Sequence, residues 1–275
     1  MDLFEKLENY STSKNKKNNK SKKSKRKSSK RSIKNGRNSS KKGRRSSIRV
    51  SRNNSNKPVI LDLNNRRSSQ DPRKFMFPQD KNVDFRDLMI SNVSEYSVDR
   101  PEDAEYICKI MKSHLPKRKS LVVTDATSNV GGGTIAFAKN FSKVNAVELE
   151  EVHCKALHNN LKKYKLDKKV KIYCDSYLDM MDELKQDIIY FDPPWGGRDY
   201  KKKYFMDLFL GDMNMIDVIR QVKNKTKLIV FKVPKNYNFF NFFLRSNFDK
   251  ITIYKIYKFF QNKKRVSYYI MVLEV

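Results

Sequence analysis

A chain of 275 residues has room for one ordinary domain with an extension, or for two small domains. Its 60 Lys and Arg against 30 Asp and Glu leave a formal charge of +30, which points to a polyanionic partner, nucleic acid before membrane. No apolar run approaches the roughly 20 residues of a membrane-spanning helix, the first ten residues lack the order of a secretory leader, and Cys108, Cys154 and Cys174 are too few and scattered for a disulfide framework or a metal knuckle, so a reduced intracellular setting is expected.

Residues 1–57 hold 21 basic and 3 acidic side chains, which leaves +12 for the other 218 residues. A stretch so rich in Lys, Arg, Ser and Asn cannot bury enough apolar surface to offset its ordering entropy, and it is expected to be a disordered tail. KKSKRK (22–27) and KKGRR (41–45) suit nuclear import, with the cytoplasm as the alternative, and the tail suits RNA held by counterion release. Residues 58–118 read as an N-terminal extension anchored by Phe75, Phe77, Phe85 and Leu88. It ends in a helix that opens at Pro101 and repeats Ala104, Ile107, Met111 and Leu115 at helical spacing.

From residue 119 to 275 strands alternate with helices. The spacing predicts strands over 120–126, 143–148, 169–174, 187–191 and 227–233, with helices over 133–141, 150–164, 212–222 and 237–245. Two final strands, 251–260 and 267–275, are joined by QNKKRV. Alternation of this kind implies a doubly wound, mostly parallel α/β sheet. A closing antiparallel hairpin on such a Rossmann-like sheet is the pattern of class I S-adenosylmethionine-dependent methyltransferases.

Five of the eight glycines fall in two clusters, each at the end of a predicted strand. DATSNVGGGT (125–134) leaves one strand and opens a helix, where positive φ and close backbone approach to a ligand favour glycine. Asn129 stands where a further glycine is expected, and Asn tolerates the left-handed region. Glu148 ends the next strand, where an acid accepts hydrogen bonds from ribose hydroxyls. The second cluster, DPPWGGRDY (192–200), makes a rigid lip over the crevice where open α/β sheets bind ligands. An exocyclic amine has its lone pair delocalised into the ring, so methylating it needs acceptors that aim the nitrogen. Asp192 and the Pro193 carbonyl are the natural acceptors, and the rest of the catalysis is alignment. Trp195, the only tryptophan, would stack on the base, with a preference for a cationic purine. His114, His153 and His158 have no carboxylate or cysteine at ligand spacing, so no metal is expected. Phe239, Phe240, Phe242 and Phe243 read as core.

These residues resemble the trimethylguanosine synthases, or RNA cap guanine-N2 methyltransferases, over about Ser97 to Asn236. VVTDATSNVGGGTIAFA is similar to the family's cofactor loop, which implies S-adenosyl-L-methionine bound by Asp125, Gly131 and Glu148. The acid at the end of the third strand is ambiguous between Asp175 and Ser176, with Asp175 preferred. DPPWGGRDY resembles the family's SPPWGGPDY-like block, which implies that Trp195 stacks on 7-methylguanine and Tyr200 lies by the cap phosphates. HNN (158–160) resembles a run that implies Asn160 near the guanine. VPKN (233–236) is similar to LPRN, which implies Lys235 and Asn236 at the phosphates. YSVDRPEDAEYI (96–107) is similar to a segment that closes over the cofactor. Asp192 stands in place of the family's usual serine, and Lys235 in place of an arginine.

The expected protein is therefore a monomeric, metal-free, non-membrane enzyme acting on capped RNA. Two alternatives stay open: an amino-methyltransferase of an internal base, and a non-catalytic RNA-binding protein on a decayed methyltransferase scaffold.

Overall fold

In the computed structural model, residues 57–64 and 67–275 are described, apart from the side chain of Arg198. The expected tail lies outside the described residues. Seven strands form one sheet: β1 (Val122–Asp125), β2 (Lys143–Val147), β3 (Val170–Tyr173), β4 (Ile188–Phe191), β5 (Leu228–Pro234), β6 (Lys250–Phe260) and β7 (Lys263–Glu274). Their order is β3-β2-β1-β4-β5-β7-β6. β1 to β5 run parallel, while β7 pairs antiparallel with both β5 and β6. This is the class I methyltransferase architecture. Every residue of β4 and of β5 is buried, as continuous apolar runs in the middle of a two-sided sheet must be.

Five longer helices cover the sheet: α1 (Pro101–His114), α2 (Gly132–Asn140), α3 (Glu151–Lys163), α4 (Met215–Val222) and α5 (Phe239–Arg245). Pro101 at the first turn of α1 gives up an amide that has no helical partner there. Glu102 and Asp103 then complement the positive end of the helix, and Lys112 and His114 the negative end. Its buried face, Ala104, Ile107, Cys108, Ile110 and Met111, packs against α2 and β5. The rest of the extension is tied to the sheet layer by side-chain-to-backbone bonds. The Tyr164 hydroxyl donates to the Pro78 carbonyl at 2.6 Å and the Asn159 side-chain amide to the Asp87 carbonyl at 2.9 Å, while within the extension buried Arg73 pairs with Asp71 at 2.6 Å and donates to the Arg86 and Leu88 carbonyls.

Several expectations are corrected. Of the four anchors, Phe77 and Leu88 are buried, but Phe75 is 56% exposed. In α5, Phe239 and Phe242 are core, whereas Phe240 and Phe243 face outward. Cys154 and Cys174 form a disulfide with Cα atoms 5.9 Å apart, because α3 packs beside β3. Cys108 is free and buried. Two histidines do have carboxylate partners, His114 with Glu274 at 2.8 Å and His153 with Glu148 at 3.3 Å.

The closing hairpin is longer than expected. β7 starts at Lys263, so the turn is only Gln261–Asn262, both at positive φ (47° and 59°), the twist that suits a two-residue hairpin. β5 ends at Pro234 opposite Tyr268. Residues 263–267 and their partners on β6 therefore run on past the carboxyl end of the parallel strands, by roughly 16 Å at ~3.3 Å per residue.

Candidate active site

The glycine cluster forms the turn between β1 and α2. Asn129 and Gly131 both adopt positive φ, 50° and 99°. At Gly132 a Cβ would lie 2.3 Å from Val98 Cγ1 and 3.0 Å from the Asp99 carbonyl, so only glycine lets the extension pack against this turn. The Asn129 side chain donates to Ser97 Oγ at 2.9 Å from the same side. The segment Ser97–Asp99 thus lies directly on the glycine turn.

Two acids flank it. Asp125, at the end of β1, is 2% exposed; its Oδ2 accepts from the Thr134 hydroxyl at 2.6 Å, while Oδ1 is buried without a hydrogen bond. Burial pushes its pKa up to about 7, against the pull of the Thr134 hydroxyl and the nearby Thr127 amide and with Asp99 and Asp192 adding to the rise. Glu148 follows β2. Its oxygens accept from the Asn129 amide (2.7 Å) and the Glu150 amide (3.0 Å), and His153, itself 2.9 Å from Ser91 Oγ, backs it. A carboxylate has about four acceptor sites, so Glu148 retains capacity for ligand hydroxyls.

The second cluster follows β4, the neighbour of β1. Pro193 is buried, and Gly196 and Gly197 are both left-handed (φ 81° and 71°). A Cβ at either would meet nothing within 4 Å, so it is the backbone angle, not space, that calls for glycine. The Asp192 amide donates to Thr127 Oγ1 at 3.0 Å, which fastens this lip to the glycine turn. Trp195 is half-buried. Tyr200 meets it edge-on at 5.2 Å, Tyr268 of β7 lies 6.3 Å away, and its Nε1 is buried without a partner.

Beneath the lip lies a buried charge cluster. Lys232, in the middle of β5, donates to Asp192 Oδ2 at 2.7 Å and to Asp99 Oδ1 at 2.5 Å. The Tyr190 hydroxyl donates to Asp99 Oδ2 at 2.8 Å. Burial alone would lower the lysine pKa, but Asp192 and Asp99 outweigh it and hold the ammonium above its ordinary range. Burial pushes the Asp192 carboxyl up to about 7, with Lys232 pulling down and Asp99 pushing up. Two carboxylates share one ammonium, so one acid keeps its proton until near neutrality. The Lys232 ammonium also lies 5.5 Å from the Trp195 ring and 5.0 Å from that of Tyr268.

The fold thus brings Asp125, Gly131, Glu148, Asp192, Pro193, Trp195 and Tyr200 to one edge of the sheet. Others sit differently. Asp175 is exposed beyond β3, accepting from the Ser176 amide, while Ser176 caps the short helix Tyr177–Met180. Lys235 is exposed just past β5. Asn160, expected at the guanine, is 0% exposed, and its amide is used by the Met89 amide and the Met89 and Val130 carbonyls, so it ties the extension to the glycine turn. The Asn236 NH2 group, expected at phosphates, donates to the Tyr200 and Lys203 carbonyls at 2.8 and 2.9 Å and orders the lip instead. Sequence reasoning does not single out Asp99, Thr127 or Lys232. Lys232 has a legible signal, since a lysine inside a wholly apolar central strand requires a buried acid.

A methyl donor with an amino group and ribose hydroxyls suits this edge. Asp125 Oδ1 is a buried acceptor with no hydrogen bond, and the glycine turn offers backbone without side chains. Among the described residues no group of three His, Cys, Asp or Glu could hold a metal ion, and no helix is long and apolar enough to cross a membrane.

The profile of a family described as RNA cap guanine-N2 methyltransferase matches residues 120–273. Uncharacterized protein L320 of Acanthamoeba polyphaga mimivirus is 40% identical over 54% of this chain and 58% of its own length. The trimethylguanosine synthase of Saccharomyces cerevisiae is 22% identical over 56% of this chain and 50% of its own. The chain thus spans a little over half the length of these relatives. Similar solved structures include a 16S rRNA N2 G1207 methyltransferase from T. thermophilus in complex with AdoMet and guanosine, with TM-score 0.47 and 15% identity, covering 62% of this chain and 42% of that one. A SAM-dependent methyltransferase from Agrobacterium tumefaciens has TM-score 0.48 and 11% identity, covering 62% of each chain.

Proposed function

The chain belongs to the RNA cap guanine-N2 methyltransferase family, and from that premise we propose that it methylates the exocyclic N2 amine of a 7-methylguanosine cap on RNA. S-adenosyl-L-methionine is the methyl donor, a reading supported by the glycine turn flanked by Asp125 and Glu148. The observation that carries the reading is the half-buried Trp195 beside Asp192, on a lip fastened through Thr127 to the glycine turn.

When bound, the donor supplies an electrophilic methyl group on a sulfonium. Asp125 and Glu148 hold its amino and ribose groups, and Gly131 admits it close to the backbone. Lys232 occupies Asp192 Oδ2, which leaves Oδ1 to accept an N–H of the guanine amine, with the Pro193 carbonyl as the second acceptor. Holding both hydrogens aims the nitrogen for in-line attack, and that alignment is the main catalytic contribution. Trp195 stacks on the purine, with Tyr200 bracing its edge. Asp99, Asp192 and Lys232 sum to one negative charge when all are ionised, which favours a cationic 7-methylguanine over a neutral base. Tyr200, beside Trp195, and Lys235, exposed just past the end of β5, are the groups assigned to the cap phosphates.

Asp192 supports a second reading, an amino-methyltransferase of an internal RNA base, because an acid at this position suits neutral amines as well. Labelled methyl transfer to 7-methylguanosine diphosphate, capped RNA and uncapped RNA separates the two. The cap reading expects transfer to the first two and N2-methylated guanosine by mass spectrometry. Transfer to uncapped RNA alone would remove it.

A further inference from the structure

The β6–β7 hairpin carries six basic residues between Lys250 and Leu273 (Lys250, Lys255, Lys258, Lys263, Lys264 and Arg265) and no acid. Its projecting part, residues 257–265, is exposed at every position. Three of those nine residues are aromatic, with Tyr257, Phe259 and Phe260 exposed by 44%, 76% and 62%. Four are basic.

The pairing arranges them in order. Phe259 lies opposite Lys264, Phe260 opposite Lys263, and Lys258 opposite Arg265. The Lys264 ammonium lies 4.6 Å from the Tyr257 ring on the diagonal. One face of the ribbon therefore carries Tyr257, Phe259 and Lys264, and the other carries Phe260 with Lys258, Lys263 and Arg265, so each face sets rings beside cations. Lysines alone on an edge hairpin serve to discourage strand pairing between molecules. Three large rings left in water do the opposite, and they call for a partner that covers them.

Position supplies the second argument. Tyr268, where β7 leaves its register with β5, is 6.3 Å from Trp195. Lys258 fastens the root of the arm to Asp103 of α1 at 2.8 Å and lies 5.6 Å from the Tyr268 ring. The arm starts at the lip and leads outward from the ligand edge.

We propose that residues 257–265 form a binding surface for single-stranded RNA, which takes the nucleotides that follow the one held at Trp195. Rings stack on base faces regardless of sequence, and the cations follow the phosphates. The proposal rests on the reading of the Trp195 lip as an RNA substrate site only for the direction in which the strand runs.

The test uses the full chain and a variant carrying Phe259→Ser, Phe260→Ser, Lys263→Gln, Lys264→Gln and Arg265→Gln, all exposed positions. Fluorescence anisotropy with an uncapped single-stranded 12-mer should show Kd raised at least ~10-fold in the variant. The slope of log K against log salt should fall by about 2, at ~0.7 for each phosphate no longer neutralised. The KM for a capped 12-mer should rise in parallel, while that for 7-methylguanosine diphosphate stays within about twofold. Photo-crosslinking of 4-thiouridine RNA to the unaltered protein should map to Tyr257, Phe259 or Phe260, a readout that does not depend on the variant folding. Unchanged Kd and salt slope, equal losses on both substrates, or crosslinks confined elsewhere would overturn the inference; unchanged RNA binding would also mark the arm as a protein-docking surface. If neither cap substrate accepts methyl but binding and crosslinks still map to the hairpin, the cap reading falls and this one stands.

Discussion

The Lys232 ammonium lies 2.7 Å from Asp192 Oδ2, in the floor of the site and between two acids contributed by distant parts of the chain. Asp192 follows β4, Lys232 sits in β5, and the second acid, Asp99, comes from the extension 133 residues before the lysine. A charge at 7% exposure in a central strand is tolerable only because both its partners are in place. The same pair couples stability to chemistry, since the acid that would orient the substrate amine is itself oriented by the lysine.

Replacing Lys232 by Met strips the ammonium from two buried carboxylates. Removing one member of a buried pair typically costs roughly 3–5 kcal/mol. Adding Asp192→Ser should recover part of that loss, so the double variant should be more stable than Lys232→Met alone in urea denaturation at pH 8. Additive losses would mean that the two side chains do not interact.

Asp192 is pushed up to about 7 by burial, offset by Lys232 and reinforced by Asp99. Only the ionised form accepts from Lys232 at Oδ2 and from the substrate amine at Oδ1 together, so turnover on a small cap analogue should rise as pH climbs through about 7. In Asp192→Ser that inflection should vanish while a slower, flatter rate remains. An inflection unchanged in the serine variant would assign the titration to another group, with Asp125 the first candidate.

The parts of the site legible in sequence are those in which local backbone chemistry dictates residue type. Gly131 needs its positive φ, Pro193 stiffens a strand end, and the apolar runs of β4 and β5 announce a two-sided sheet. What escaped depends on topology bringing distant residues together. The family resemblance implies Asn160 near the guanine, but packing of the extension buries it against Met89 and Val130. Cys154 and Cys174 are 20 residues apart and meet only because α3 returns alongside β3. Lys263–Arg265 read as a loop because charged residues usually do; the hairpin keeps them as strand by projecting beyond the sheet, where both faces are wet.

Asp125 carries the reverse of a stabilising shift. Its pKa is raised by burial to about 7 from an ordinary value near 4, so the folded state binds the extra proton. Stability should therefore fall as pH rises from about 4 to 7 and stay level above. Asp125→Asn removes that penalty, and its melting temperature should exceed that of the unaltered protein at pH 8 by roughly 3–8 °C, with the gap shrinking below about pH 7 and closing as pH nears about 4. The same variant should bind S-adenosylhomocysteine at least ~100-fold more weakly by calorimetry, because an amide cannot replace the carboxylate toward an ammonium. Unaltered affinity would remove Asp125 from the cofactor site.

Trp195 offers the sharpest separation between the two ligands. Its ring belongs to the lip, whereas the donor contacts belong to the glycine turn. Trp195→Ala should therefore leave S-adenosylhomocysteine affinity within about twofold. Losing a desolvated cation–π interaction of ~2 kcal/mol should raise the Kd for 7-methylguanosine diphosphate about 30-fold. Trp195→Phe keeps a smaller ring face between Tyr200 and Tyr268, and it should fall between the two. The discriminating comparison is with unmethylated guanosine diphosphate, whose base is neutral. If Trp195→Ala weakens both nucleotides equally, the indole holds any purine by plain stacking, and preference for the cationic cap must come from Asp99 and Asp192 alone.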